Sequence, residues 1–170
     1  MSRRNLARTT AIAILVLVSS ATAASAQMFV ATGRDTLRGL PGVEVVIENV
    51  PRELEGAGLT TSNVRGEITK RLREAGVTIY ASQSENPSRA KPYVYVHLNL
   101  VKLPGRWYAV AIQVHLRQTL QSPVTGSNVV DAMSWDKHDV LAVPAGQPRL
   151  LRGAIVEIID LFIADWRAVH

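Results

Sequence analysis

A strict alternation of apolar and polar residues in two neighbouring runs, 93–103 and 107–120, constrains the fold of this chain more than any other feature. The apolar residues occupy even-numbered positions in both runs: Val94, Val96, Leu98, Leu100, Tyr108, Val110, Ile112, Val114 and Leu116. This period of two predicts a pair of antiparallel strands with one buried face. Because even positions must then lie opposite even positions, the turn must hold an odd number of residues. We predict a turn at 104–106, which places Val96 opposite Val114.

The rest of the chain after residue 42 predicts three more strands and two helices. β-branched residues predict strands at 43–50 and 77–80, and a further strand starts at Asn128 and ends either near Trp135 or near Val143. Apolar residues at steps of three and four predict two helices: 62–75, with Val64, Ile68, Leu72 and Ala75, and 148–166, with Leu151, Ile155, Ile158, Phe162 and Trp166. The order β-α-β-β-β-β-α predicts an α+β fold, with a mostly antiparallel sheet and two helices packed on one face.

The N-terminal residues have the three parts of a secretory signal peptide. A region with arginines and no acid precedes the apolar run 11–18, and the small residues 24–26 form an A-x-A cleavage site. The apolar run is too short to span a membrane. We therefore expect residues 1–26 to be cleaved after Ala26, by either the general or the twin-arginine export route, giving a periplasmic or secreted protein without a stable membrane span. Residues 27–42 read as a flexible lead-in, and 43–170 as a single α+β domain.

Composition and motifs exclude several function classes. The arginines of the predicted signal supply three of the formal net charge of +5, which leaves +2 on the rest of the chain and no electrostatic case for nucleic acid. The chain has no cysteine, so it can form no disulfide and has no cysteine to which a lipid anchor could be attached. Phosphate-binding loops, dinucleotide fingerprints and the H-E-x-x-H zinc motif are absent from the sequence. We expect no cofactor, and the sequence favours a non-enzymatic role without deciding the point.

The odd-numbered face of the predicted hairpin carries the candidate binding residues. It combines aromatic, small and hydrogen-bonding side chains with few charges, a composition typical of protein interfaces. The residues that we predict to contact a partner are Tyr93, Tyr95, His97, Trp107, Gln113, His115 and Arg117. The same composition also fits an ordinary solvent-facing sheet, because tyrosine and threonine have high β-propensity. Our leading hypothesis is an exported soluble accessory domain that binds an envelope protein through this face.

A second hypothesis is a small-molecule or metal-binding protein, with a hydrolase as its catalytic form, centred on His97 and His115. In the predicted register the two histidines are diagonal neighbours, roughly 7–8 Å apart at the backbone. A metal site needs a third ligand, which His138, with Asp136 and Asp139, could supply only by folding back onto this face. The segment 136–139 follows Ser134, but nearness in sequence does not make a catalytic triad, and the chain has no nucleophile elbow. We therefore assign no metal ligand and no catalytic residue.

The order of elements gives a resemblance. The helix-to-strand junction 72–79, the long hairpin and the final helix around 160–162 make the chain resemble small exported bacterial envelope proteins of uncharacterised function. Their α+β layout is similar to that of the lipopolysaccharide-assembly lipoprotein and the N-terminal domain of the Tol-Pal translocation protein. The resemblance covers 43–169 and implies a non-enzymatic accessory role in the envelope. The chain departs from the lipoproteins in lacking their lipidated cysteine, and no site residue is carried over.

Overall fold

The computed structural model describes residues 33–48, 50–56 and 58–170. The predicted signal peptide 1–26 lies outside these ranges, as do residues 27–32 of the predicted lead-in. The elements in chain order are a short 3-10 helix Gly33–Leu37, β1 Val43–Ile47, α1 Arg52–Glu55, α2 Thr61–Glu74, β2 Ile79–Tyr80, β3 Tyr93–Leu103, β4 Trp107–Gln121, β5 Asn128–Pro144 and α3 Pro148–Arg167. Of the helices described, none is long and apolar enough to cross a membrane.

The α+β class is confirmed, but the prediction of a mostly antiparallel sheet is wrong. The described sheet has the order β2-β1-β3-β4-β5, in which β1 runs parallel to both β2 and β3, while β3, β4 and β5 are antiparallel. The parallel half arises because α2 carries the chain back across the sheet between β1 and β2, and such a crossover joins parallel strands. β3 then pairs with the other edge of β1 in the same direction.

The predicted hairpin is confirmed in its register. Leu103 pairs with Trp107 across the turn 104–106, and Val96 lies opposite Val114. Gly105 takes a φ of 72°, in the left-handed region that the tight turn requires. β5 continues past Trp135 to Pro144, so the last strand ends near Val143, the later of its two predicted ends.

The core lies between one face of the sheet and the two long helices. From the strands it takes the alternate buried residues of β1, the even-numbered residues 94–98 of β3 and 110–116 of β4, and Trp135 and Val143 of β5. α2 and α3 contribute the stripes that their spacing predicted. At its centre the fully buried ring of Phe162 meets Trp135 edge to face, with 5.1 Å between the ring centroids. Apolar contacts of this kind dominate the stability of a chain that has no disulfide.

Part of the segment that we assigned to a flexible lead-in packs on this core. Leu37, at the end of the 3-10 helix, is fully buried. The hydroxyl of Thr36 donates a hydrogen bond to the carbonyl of Ser134 over 3.1 Å, and the buried amide of Gln118 donates to the carbonyl of Thr36 over 3.1 Å. Periodicity did not reveal this packing because a single apolar residue in a short 3-10 turn carries no repeating pattern.

Candidate functional site

The face of the sheet opposite α2 and α3 is open to solvent and carries the predicted binding residues. Register pairing sets Tyr93 beside Arg117, Tyr95 beside His115 and His97 beside Gln113. These six residues therefore occupy three adjoining rows at one end of the hairpin. Trp107 lies apart from them, opposite Leu103 at the far end of the hairpin, roughly 33 Å along the strand from the row of Tyr93. The structure thus brings together six of the seven predicted residues.

Five of the six form a stacked array, which we call the Tyr-His cluster: Tyr93, Tyr95, His97, His115 and Arg117. The Tyr95 ring is at its centre, stacked against His97 with 6.4 Å between centroids and against His115 with 6.3 Å. Tyr93 meets Tyr95 edge to face at 6.4 Å. The guanidinium carbon of Arg117 lies 5.7 Å from the Tyr95 ring centroid, within cation–π range.

Two carboxylates hold the Tyr-His cluster from its two sides. On the β1 side, Glu48 accepts a hydrogen bond from the Tyr95 hydroxyl and also contacts Nδ1 of His97. On the β5 side, Asp131 accepts from the Tyr93 hydroxyl and from Arg117, whose Nη2 lies 2.6 Å from Oδ2. The Tyr-His cluster on β3 and β4 is therefore held by the residue that follows β1 and by a residue of β5.

Sequence analysis missed both carboxylates as site residues. Glu48 does alternate with Val46 on the open side of β1, but nothing in the sequence shows that β3 lies beside it. Asp131 has a φ of 59° and lies where the pairing of β4 with β5 becomes irregular. Because the bulged backbone breaks the period of two there, alternation cannot assign Asp131 to a face.

The local environment sets the charge of several groups in the cluster. The hydrogen bond between Tyr95 and Glu48 raises the pKa of the Tyr95 hydroxyl and lowers the pKa of the Glu48 carboxyl. Burial, together with the hydrogen bond to Asp131, raises the pKa of Tyr93 to about 12. Burial and the nearby Arg117 lower the pKa of His115. At neutral pH the cluster therefore presents neutral phenols and a neutral His115 beside a cationic Arg117.

The arrangement is suited to binding and shows no assembled catalytic pair in the described part of the chain. The hydroxyl of Ser134 accepts from the Gln118 amide over 2.9 Å and donates to the carbonyl of Leu116 over 3.4 Å, so its proton is not directed to a histidine. His138 pairs with Asp136 of its own strand at 3.7 Å. Across the residues that the structure describes, no group of three or more His, Cys, Asp or Glu side chains is placed to hold a metal ion.

No protein-family model and no curated protein matches the chain. Among solved structures, it is similar to the crystal structure of a minor lipoprotein from Acinetobacter baumannii. The alignment covers 77% of this chain and 93% of that chain, with 10% sequence identity and a TM-score of 0.41. An identity and a TM-score this low carry no assignment of function.

Proposed function

We propose that the chain is exported, loses residues 1–26 and acts as a soluble accessory protein of the bacterial envelope, in the periplasm or after secretion. In this role it binds a partner protein through the Tyr-His cluster and the adjoining Gln113. The observation that carries the proposal is an ordered array of two tyrosines, two histidines and an arginine on a sheet face that neither long helix covers.

The order of this array favours binding because it lowers the entropic cost of association. Both tyrosine hydroxyls are hydrogen-bonded to carboxylates, and Arg117 is held by Asp131, so these side chains lose little freedom when a partner docks. Tyrosine and arginine are also the residues most often found as energetic anchors of interfaces. Since Arg117 is already paired with Asp131, we expect a polar, hydrogen-bonding partner surface rather than a strongly acidic one.

Site-specific photocrosslinking in cells that export the protein tests the proposal. A photoreactive residue replaces Gln113, which lies beside His97 and whose side chain forms no hydrogen bond with a described residue. The control probe replaces Val124, which is 90% exposed in the loop between β4 and β5. We expect one protein to be captured at 113, none at 124, and the capture at 113 to be lost with Tyr95→Ala.

Capture of the same proteins at both positions, or capture at 113 that survives Tyr95→Ala in a correctly folded variant, contradicts the proposal. Zinc analysis of the purified protein separates the proposal from a metal-binding function. Stoichiometric zinc that is lost on His97→Ala would replace the partner-binding assignment with a metal site at the same face.

A further inference from the structure

The opposite end of the same sheet face is apolar and protrudes into solvent. Along the hairpin tip 99–107 every residue is exposed except the half-buried Leu100. Val101, Leu103 and Trp107 are 62%, 39% and 42% exposed, and they share the open face. Val140 of β5 is 66% exposed and lies beside Ala111 of β4, so only the small side chains of Ala109 and Ala111 separate it from Val101. We call Val101, Leu103, Trp107 and Val140 the tip patch.

Two cationic side chains at this end of the domain have no partner among the residues that the structure describes. Arg106 lies in the turn itself, and its carbonyl accepts a hydrogen bond from Ala145 over 2.7 Å, which joins the turn to the loop that leads into α3. Arg149 follows in the first turn of α3. Neither side chain forms an ion pair or a hydrogen bond with a residue that the structure describes. Lys102 pairs with Glu53 at 2.9 Å, and the sequence of 99–107 contains no acid.

We infer that this end of the domain docks on the surface of an anionic phospholipid bilayer. Trp107, Leu103 and Val101 enter the boundary between headgroups and acyl chains, while Arg106 and Arg149 contact lipid phosphates. Tryptophan is suited to that boundary because it combines a large apolar ring with a hydrogen-bond donor. Arginine matches phosphate oxygens with two parallel donors, and each cation near an anionic leaflet adds to the affinity.

Charge complementarity favours a bilayer over a second copy of the chain. Arg106 and Arg149, whose side chains have no partner among the described residues, are both positive, so two copies that met through their tip patches would bring these like charges together. A bilayer offers apolar and anionic groups over a wide plane, which fits a protruding hairpin that has apolar side chains and cations. This inference does not rest on the partner-binding function, because the Tyr-His cluster lies at the other end of the hairpin. Either assignment can fail while the other holds.

Tryptophan fluorescence gives a direct test because only one of the three tryptophans is exposed. Trp135 and Trp166 are 2% and 6% exposed and lie in the core, whereas Trp107 is 42% exposed. The protein, purified without detergent as its host exports it, is mixed with vesicles of phosphatidylglycerol and phosphatidylcholine, or of phosphatidylcholine alone. We expect a blue shift and co-flotation with the anionic vesicles only, both weakened by added salt.

Matched variants assign the binding to the tip patch. Trp107→Ala should weaken binding to the anionic vesicles about tenfold, and Arg106→Gln about fivefold. The apolar control is Val124→Ser in the loop at the other end of the sheet, and the charge control is Arg73→Gln near the end of α2. Both controls should bind as the unchanged protein does, and circular dichroism confirms that all four variants fold.

Three results would overturn the inference. The first is equal binding to neutral and anionic vesicles, and the second is binding that Trp107→Ala and Arg106→Gln weaken no more than the controls do. The third is a stable dimer in sedimentation experiments that Trp107→Ala dissociates. That result would assign the tip patch to a second copy of the chain.

Discussion

The two faces of strands β3 and β4 share one backbone but differ in the burial and the type of their side chains. On the covered face, every even-numbered residue from Val110 to Leu116 is fully buried against α3 and its neighbours. On the open face, the odd-numbered residues from Trp107 to Arg117 are aromatic, small or polar, and none is fully buried. One face therefore contributes mainly to folding, whereas the other is free to vary its chemistry along its length.

The open face is itself divided by what its side chains contact. At the Tyr-His cluster, Glu48 and Asp131 hold the aromatic and cationic side chains in place. At the tip patch, large apolar side chains lie beside small ones, and the Arg106 side chain has no partner among the described residues. The face therefore contains an ordered polar site and an apolar projection, which are suited to different kinds of partner.

Adjacent residues of β4 provide the strongest test of the contrast between the faces. Ile112→Ala should lower the free energy of unfolding by about 2–5 kcal/mol, because it leaves a cavity in a fully buried position. Gln113→Ala, one residue later on the open face, should change it by less than about 0.5 kcal/mol. Urea denaturation of the two variants measures both values. Similar losses for the two would show that the open face is buried by something that the described residues do not include.

The covered face was largely predictable because its signal is local. A period of two along β3 and β4 identifies the buried positions, and the odd-numbered turn then follows from matching even to even residues. The mixed order of the sheet was not predictable by the same means. Whether β3 lies beside β1 or beside β2 depends on contacts between segments far apart in sequence, and both arrangements keep the same alternation.

Two aspartates of α3, Asp165 and Asp160, give a second test with a smaller expected effect, at the rim of the covered face. Asp165 accepts from the indole nitrogen of Trp135 over 3.0 Å and from Nε of Arg34 over 2.7 Å, and it is mostly buried. Asp165→Asn should cost about 1–2 kcal/mol, because a neutral amide cannot accept well from both donors. The control is Asp160→Asn on the same helix, whose ion pair with Arg71 is half exposed and should cost less than about 1 kcal/mol.

Thermal or urea unfolding of the two variants measures this difference. A larger loss for Asp165→Asn would support the inclusion of residues near Arg34 in the folded unit, against the expectation of a flexible lead-in. Equal losses would mean that the contact between the 3-10 helix and α3 adds little to the stability of the folded chain.

The site was predictable only in part, for a related reason. The hairpin alternation collected Tyr95, His97 and His115 on one face, because these residues belong to two strands joined by a short turn. It also collected Trp107, since alternation identifies a face and says nothing of distance along it. The carboxylates of Glu48 and Asp131 come from other strands, and their contacts depend on sheet order and on a bulge. Neither feature leaves a periodic trace in the sequence.

The smallest expected effect concerns the pH dependence that His115 gives to the open face. Burial and Arg117 lower the pKa of His115 below its ordinary value of 6.5, so in the folded protein it stays neutral where the unfolded chain takes up a proton. The free energy of unfolding should therefore fall as the pH drops below 6.5, by at most about 1.4 kcal/mol per pH unit, until His115 is protonated in the folded state as well.

His115→Gln should flatten this part of the profile, which urea denaturation at about pH 7.5 and about pH 5.5 measures. The exposed His138, which lies beside Asp136 on the edge strand, serves as the control, and His138→Gln should leave the slope in place. Parallel profiles for the protein and His115→Gln would show that His115 is as freely solvated as an exposed histidine. In that case the Tyr-His cluster would be looser than its stacked geometry indicates, and the difference between the two faces in side-chain order would be larger than the structure shows.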